Sequence, residues 1–359
     1  MDYQSITDDE QGRRTAQRLL ALREQLAKQG PPPKTLNNLL LATWNIREFD
    51  SPAYGERLPE AFFYIAEIIS HFDVVAVQEV RENLDALERV QRLLGDWWRY
   101  IATDVTEGQA GNRERMVFLY DTRKVRFGGV AGEIVIPPVE KTSADGEHVV
   151  YEPSKQLFRT PFICGFDAGW SRFMLCTVHI QYGVDEADSP ERIEEIKIIA
   201  DFLAKRAREK FAWSNNVVLL GDFNIYSTSD LTMRALIDAG FEIPIELQNV
   251  PPTNTGKEKH HYDQIAFQPR RMHFDTTGRA GVFDYYQTVF RDLEADMQIY
   301  ADSMGDAFNT TSKGKPRDDR GKLTYYRTYW RTYQMSDHLP MWVELRTDFS
   351  AEFLREKSG

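Results

Sequence analysis

Cysteine is nearly absent from this chain, with only Cys164 and Cys176 in 359 residues. A disulfide-stapled scaffold is therefore excluded. At most one bridge is open to it, across a hairpin turning at Asp167-Ala-Gly-Trp170. The first ten residues lack a basic n-region and an apolar h-region, so no secretion signal is read there. That favours two reduced thiols and a cytoplasmic protein. No apolar run approaches the ~18 residues of a membrane span. Positive charge is also short: the formal net charge is −11. Overall attraction to polyanions is thus missing, and a nucleic-acid function cannot be argued from bulk basicity. A local basic groove or a carboxylate-rich metal site stays compatible with that charge. Repeats and low-complexity tracts are missing too. The chain does have apolar mass, 42% hydrophobic and 12% aromatic, enough for a sizeable core.

Hydrophobic periodicity sets out the elements. Residues 8–29 predict a helix, with Leu19, Leu22 and Leu26 at helical spacing, stopped by Gly30-Pro-Pro-Pro33. It reads as an arm packed on the domain rather than a partner-binding helix. Buried strands are expected at Leu39–Ile46, Asp73–Glu79, 112–120 and Val217–Leu220. Two consecutive antiparallel strands are expected at Leu157–Cys164 and Arg172–His179. A short strand follows at His261–Phe267, and a last one after Ser336-Asp-His-Leu-Pro340. Helices are expected at Glu60–Phe72, Asn83–Leu94, Pro190–Lys210 and Asp230–Ala239, with one or two between Phe283 and Ser303. Residues 137–156 read as polar loop. Helices alternating with buried strands, then hairpin-like pairs, predict a single α/β domain with two sheets and helices outside.

Polar groups finish many of these strands. Val217-Val-Leu-Leu-Gly-Asp-Phe-Asn224 runs a fully apolar strand into a carboxylate and an amide two residues apart. Such a pair points one way from an extended backbone, although a lone Asp-x-Asn is ordinarily an Asx turn. Glu79 follows Val-Val-Ala-Val, where a buried charge needs a partner or a metal. Asn45, Glu114, Arg159, His179, Asp263, Asp337 and His338 occupy comparable positions. A histidine or amide at one strand end is ordinarily structural. Ten such groups on a common set of strands predict one cleft. Its carboxylates and amides are hard oxygen donors, suited to Mg²⁺, Mn²⁺ or Ca²⁺ rather than zinc. Two histidines beside such a cation fit attack of water on a phosphoester. An aspartate can deprotonate the water, and Arg159 can hold a phosphate bidentately.

Together the segments Thr-Trp-Asn45, Val-Gln-Glu79, Arg-Glu114-Arg-Met-Val, Phe-Arg159-Thr-Pro, Val-His179, Gly-Asp222-Phe-Asn224, Tyr-Asp263-Gln-Ile and Ser-Asp337-His338 resemble the endonuclease/exonuclease/phosphatase superfamily, in its DNase I-like branch. They stand in the family's order over about residues 38–346. The resemblance implies a four-layer α/β/β/α sandwich of two mixed, mainly antiparallel sheets packed face to face. It implies Glu79, Asn45 and Asp337 as the metal site, with Mg²⁺ the first candidate and Mn²⁺ or Ca²⁺ after it. It implies Asp222 as the residue that activates water, with Asn224 beside it on the phosphate. His338 held by Asp263, and His179 held by Glu114, are implied at the phosphoryl oxygens, and Arg159 as a phosphate clamp. Abasic-site endonucleases of the superfamily carry tyrosine where His179 stands. Inositol polyphosphate 5-phosphatases resemble Gly-Asp-Leu-Asn, a poorer fit to Gly-Asp-Phe-Asn.

The organisation expected is an arm over 1–35, one phosphoesterase domain over 36–348 with an insertion at about 281–335, and a tail over 349–359. The insertion is longer than the family pattern. Lys313, Lys315, Arg317, Arg320, Lys322, Arg327 and Arg331 interleave there with Tyr325, Tyr326, Tyr329, Trp330 and Tyr333. It reads either as a solvated surface loop or as a flap that grips nucleic acid by charge and stacking. A metal-dependent endonuclease or exonuclease is the favoured function. A phosphoinositide, sphingomyelin-type or small phosphoester hydrolase is the alternative, and a non-catalytic binding module the third reading. No protein partner is inferred.

Overall fold

Two sheets form the centre of this computed structural model, which describes residues 1–49, 51–52, 54–107, 113–142, 148–268 and 273–358. The strands are β1 Asn38–Phe49, β2 Val74–Val80, β3 Trp98–Ala102, β4 Arg115–Asp121, β5 Arg126–Glu133, β6 Val139–Thr142, β7 Val149–Glu152, β8 Phe162–Ala168, β9 Ser171–His179, β10 Val217–Asp222, β11 Asp263–Phe267, β12 Asp275–Val282 and β13 Met341–Arg346. One sheet runs β12-β13-β1-β2-β4-β3 and the other β11-β10-β9-β8-β5. Among the described residues the β1–β2 and β9–β10 pairings are parallel and the others in these two sheets antiparallel.

Strand burial on both faces explains the apolar runs. Leu39 and Leu41 of β1 point between the sheets, while Leu40, Ala42 and Trp44 point to the outer helices. In β10, Val218 and Leu220 point between the sheets and Val217 and Leu219 point outward. The period of two thus feeds three cores. The first outer core takes helices α1 Glu10–Gln29, α2 Pro59–Ser70 and α3 Asp85–Leu94. The second takes α4 Pro190–Arg206 and α5 Leu231–Asp238. Helix, sheet, sheet, helix is the layering expected.

Several details differ from the sequence reading. α2 ends at Ser70 rather than Phe72, and it is buried on all sides because α1 lies over it. α1 buries Leu19, Leu22 and Leu26 and sets Arg14 bidentately on the buried Glu60. Tyr64 and Tyr300 also donate to that carboxylate. Residues 137–156 are not plain loop: β6 and β7 pair as an exposed, antiparallel two-stranded sheet, because Val149, Val150 and Tyr151 favour a strand, while residues 143–147 lie outside the described residues. The strand expected from Leu157 starts only at Phe162, so Arg159 lies on the loop before it. The strand expected from 112 starts at Arg115, and Asn112 lies outside the described residues. The tail 349–359 carries a helix, Ser350–Ser358.

The cysteine bridge is excluded by register. Cys164 lies opposite Leu175, and Cys176 opposite Ile163. Adjacent rows point to opposite faces, so one thiol enters the inter-sheet core and the other the α4 core. Both are free and buried. Among the described residues no helix is long and apolar enough to cross a membrane.

Candidate active site

Register gathers the first three groups. Asp222 ends β10 and pairs with His179 on β9 and with Asp263 on β11. The row across three neighbouring strands therefore reads imidazole, carboxylate, carboxylate. Gly221 is required just before it. Its φ is +135°, and a Cβ there would sit 2.1 Å from the Val178 carbonyl oxygen. Gly221→Ala should therefore destabilise the fold by about 3 kcal/mol or more, as strain and clash combine. Urea unfolding checks this.

The other sheet brings its own groups to the same edge. β1 and β2 run parallel, with Asn45 beside Gln78, so Glu79 follows at the rim. Beneath the rim, Gln78 donates to Thr177 at 2.8 Å and to Thr43 at 3.2 Å, joining the sheets through a buried polar layer. Glu114 precedes β4, and Asp337 and His338 precede β13. Glu48, Glu79 and Asn224 all adopt left-handed backbone, with φ of 51°, 63° and 53°. Such conformations cost free energy and concentrate at functional sites.

The polar atoms converge on Asp222. Asn45 Nδ2 donates to Asp222 Oδ2 at 2.9 Å and to Glu79 Oε1 at 3.0 Å, bridging the two sheets. His179 Nε2 and His338 Nε2 lie 3.6 and 3.7 Å from Asp222 Oδ2. These distances are electrostatic contact rather than hydrogen bonds. Each ring is fixed from behind: His179 Nδ1 meets Glu114 at 2.8 Å, and His338 Nδ1 meets Asp263 at 2.8 Å. All four of these partners are buried. A cleft of about 340 Å³ is lined by Glu79, Glu114, Arg159, His179, Asp222, Asn224, Asp337 and His338. Asn45 lies beneath it, and Asp263 lies behind His338.

Arg159 and Asn224 both line the cleft and have protein partners of their own. Arg159 Nε lies 2.8 Å from Glu114, so the guanidinium neutralises that carboxylate while facing the cleft. The Asn224 backbone N–H donates to Asp222 Oδ1, and its amide donates to the Ile180 carbonyl. Asn224 therefore orients Asp222. Sequence reasoning missed Arg47, Glu48, Arg81, Tyr182 and Tyr262, which also line the cleft. Glu48 donates its N–H to Glu79 Oε2 and pairs with Arg81 at 2.8 Å.

Burial and charge set the protonation states. Burial and Arg159 oppose charge on His179, and Glu114 with Asp222 outweigh them, so its pKa is raised. Burial opposes charge on His338 as well. Asp263 and then Asp222 overcome it and hold the ring protonated well above the usual imidazole range. Burial works against ionised Glu114, yet His179, Arg159 and Arg81 keep its pKa at about 2. Glu79 is pushed up, first by burial and then, against the pull of His179, by Glu114 and Asp337.

The rim presents oxygen donors of the kind a hard cation takes. No group of three His, Cys, Asp or Glu side chains in metal-binding arrangement occurs among the described residues. The candidate set is two carboxylates and an amide, Glu79, Asp337 and Asn45. Asn45 Oδ1 is buried with no hydrogen-bond partner. An orphaned buried acceptor beside a carboxylate whose charge is disfavoured is what an oxygen-seeking cation would satisfy.

The description "Endonuclease/Exonuclease/phosphatase family" belongs to the family model that matches residues 42–292. A protein described as "Deoxyribonuclease" from Thioalkalivibrio sp. (strain K90mix) is 29% identical over 213 residues, 58% of this chain and 52% of that protein. The match thus spans about half of that relative's length. Three solved structures share the fold, each with a TM-score of 0.51. An endonuclease/exonuclease/phosphatase family protein from Bacteroides thetaiotaomicron is 16% identical, with 87% of this chain and 99% of that one covered. Humanized D. rerio TDP2 is 14% identical, with coverage of 86% and 98%. The human Nocturnin catalytic domain is 12% identical, with coverage of 86% and 94%.

Proposed function

This chain belongs to the endonuclease/exonuclease/phosphatase family, and from that premise we propose that it is a divalent-cation-dependent phosphodiesterase that hydrolyses nucleic acid. The observation that carries the reading is the convergence on Asp222. A carboxylate steered by Asn45 and Asn224 stands between two imidazoles that are each backed by an acid. The similarity to a protein described as a deoxyribonuclease supports DNA as the substrate. The two free, buried thiols, Cys164 and Cys176, leave cytoplasmic action the expectation.

The residues divide the reaction between them. Asp222 orients a water and accepts its proton as the water oxygen bonds to phosphorus. Protonated His338 and His179 offer N–H groups to the phosphoryl oxygens and offset charge that grows in the pentacovalent transition state. As the phosphorus–oxygen bond to the leaving group breaks, His338 gives that oxygen its proton. Asp263 and Glu114 hold the two rings in one tautomer and stabilise their cations. Glu79, Asn45 and Asp337 would hold Mg²⁺ or Mn²⁺. Such a bound ion supplies Lewis-acid polarisation of a phosphoryl oxygen.

A substrate panel with Mg²⁺ or Mn²⁺ tests the reading. It should include single-stranded and duplex DNA, RNA, phosphoinositide vesicles and sugar phosphates. Polynucleotide cleavage is expected to dominate. Hydrolysis of lipid or sugar phosphates with none of polynucleotides would overturn it.

A further inference from the structure

Asp337, His338 and Tyr262 line a second cavity as well as the cleft. This groove of about 720 Å³ continues from the cleft past His338. It has two walls from distant parts of the chain. One is the loop over residues 254–262. The other is the helix Asp319–Tyr325 and the π-helical turn Tyr326–Trp330 that follows it.

The groove reverses the sign of the molecule. Lys257, Lys259, Arg320, Arg327 and Arg331 face it, against the carboxylates of Asp292 and Asp337. The chain as a whole carries −11. Asp292 already engages Arg327 at 2.8 Å and Arg331 at 3.9 Å, so those two cations brace the wall. Lys257, Lys259 and Arg320 are exposed, and among the described residues no carboxylate pairs with them. Lys259 reaches only the Asn254 carbonyl, at 3.4 Å. The π-helical turn is an independent sign, because such turns are rare and often mark functional sites. It presents Arg327 and Thr328 to the groove while Tyr326 and Trp330 stay in the core.

We infer that this groove seats a single polynucleotide strand as it leaves the cleft, so that the grip falls on one side of the scissile phosphate. The inference rests on the phosphodiesterase reading. Free cations on two walls suit a backbone threaded between them. Tyr262 and Leu323 add ring and apolar surface for unpaired bases. A duplex carries its phosphates on the outside of a stiff rod and would meet only the rims.

The test is the triple variant Lys257→Ala, Lys259→Ala, Arg320→Ala. All three residues are exposed, so folding should be unaffected, and thermal melts check this. Binding is read by anisotropy in an Asp222→Ala background. The probes are a fluorescein-labelled DNA strand, the same sequence as duplex, and phosphatidylcholine vesicles containing phosphatidylinositol bisphosphate. The dissociation constant for the strand should rise roughly tenfold. The slope of its logarithm against log salt should fall by about 2, at ~0.7 per lost phosphate contact. With Asp222 intact, turnover of bis(p-nitrophenyl) phosphate should be unchanged. Unchanged strand affinity and slope would overturn the inference. So would tighter binding of duplex than of strand, or a loss confined to vesicles. If wild type hydrolyses no phosphodiester while strand binding still depends on the three cations, the catalytic reading fails and the groove stands.

Discussion

Asp222→Ala should lower kcat/KM for a phosphodiester by roughly 10³- to 10⁴-fold, the upper range for a lost general base. Asp222 is the atom centre on which both imidazoles and the Asn45 amide converge. Its removal takes away the proton acceptor and the charge that steers the two rings. Stability should fall modestly. The variant loses two accepted hydrogen bonds, from Asn45 and Asn224, and the attraction of Asp222 for the charged His179 and His338. Relief of its repulsion on Asp263 offsets part of that loss, as is usual where activity and stability are traded. Steady-state kinetics beside a thermal melt checks both halves.

His338→Ala should cost kcat/KM roughly 10²- to 10⁴-fold, and combining it with Asp222→Ala should add little. The pH profile carries the sharper test. In the proposed mechanism His338 acts protonated, so activity should persist above the usual imidazole pKa of 6.5 and fall once the ring deprotonates. Asp263→Asn removes the largest force that keeps the ring charged, and the alkaline limb should move to lower pH. Stability follows the same sign. A histidine whose pKa is raised on folding contributes stability in full below its unfolded value. That contribution fades as pH rises through the folded one. The wild type should therefore lose stability on the alkaline side, and the Asp263→Asn protein should lose less over that window. An alkaline limb that stays put in Asp263→Asn would remove that carboxylate from the account.

Much of the site was legible because strand ends carry it. Glu79, Asp222 and His179 each end an apolar run, and the strand register converts separate motifs into one row. The groups that stayed hidden sit where backbone bends. Glu48 acts through a left-handed turn after the regular part of β1, and Arg47, Arg81 and Tyr262 enter by tertiary approach. Arg159 was found, but its partner Glu114 is 45 positions away in the chain, and no local pattern reports that pairing.

The insertion shows the opposite failure. Tyr325, Tyr326, Trp330 and Tyr333 suggested stacking on bases, yet all four are buried. Tyr326, Trp330 and Tyr333 recur at spacings of four and three, which is the signature of a helix face turned to a core. Composition alone hid that stripe among the arginines. Tyr329 alone of the five is exposed. Of the seven insertion cations, Arg320, Arg327 and Arg331 line the proposed groove, joined there by Lys257 and Lys259 of a loop that the sequence did not single out.

Cleavage of a labelled single-stranded DNA oligonucleotide by the wild-type protein, run with Mg²⁺ and again in excess EDTA, bears most directly on the central claim. Hydrolysis with the cation and none after chelation is the predicted result. Hydrolysis that survives EDTA, or no cleavage with any divalent ion, would contradict it.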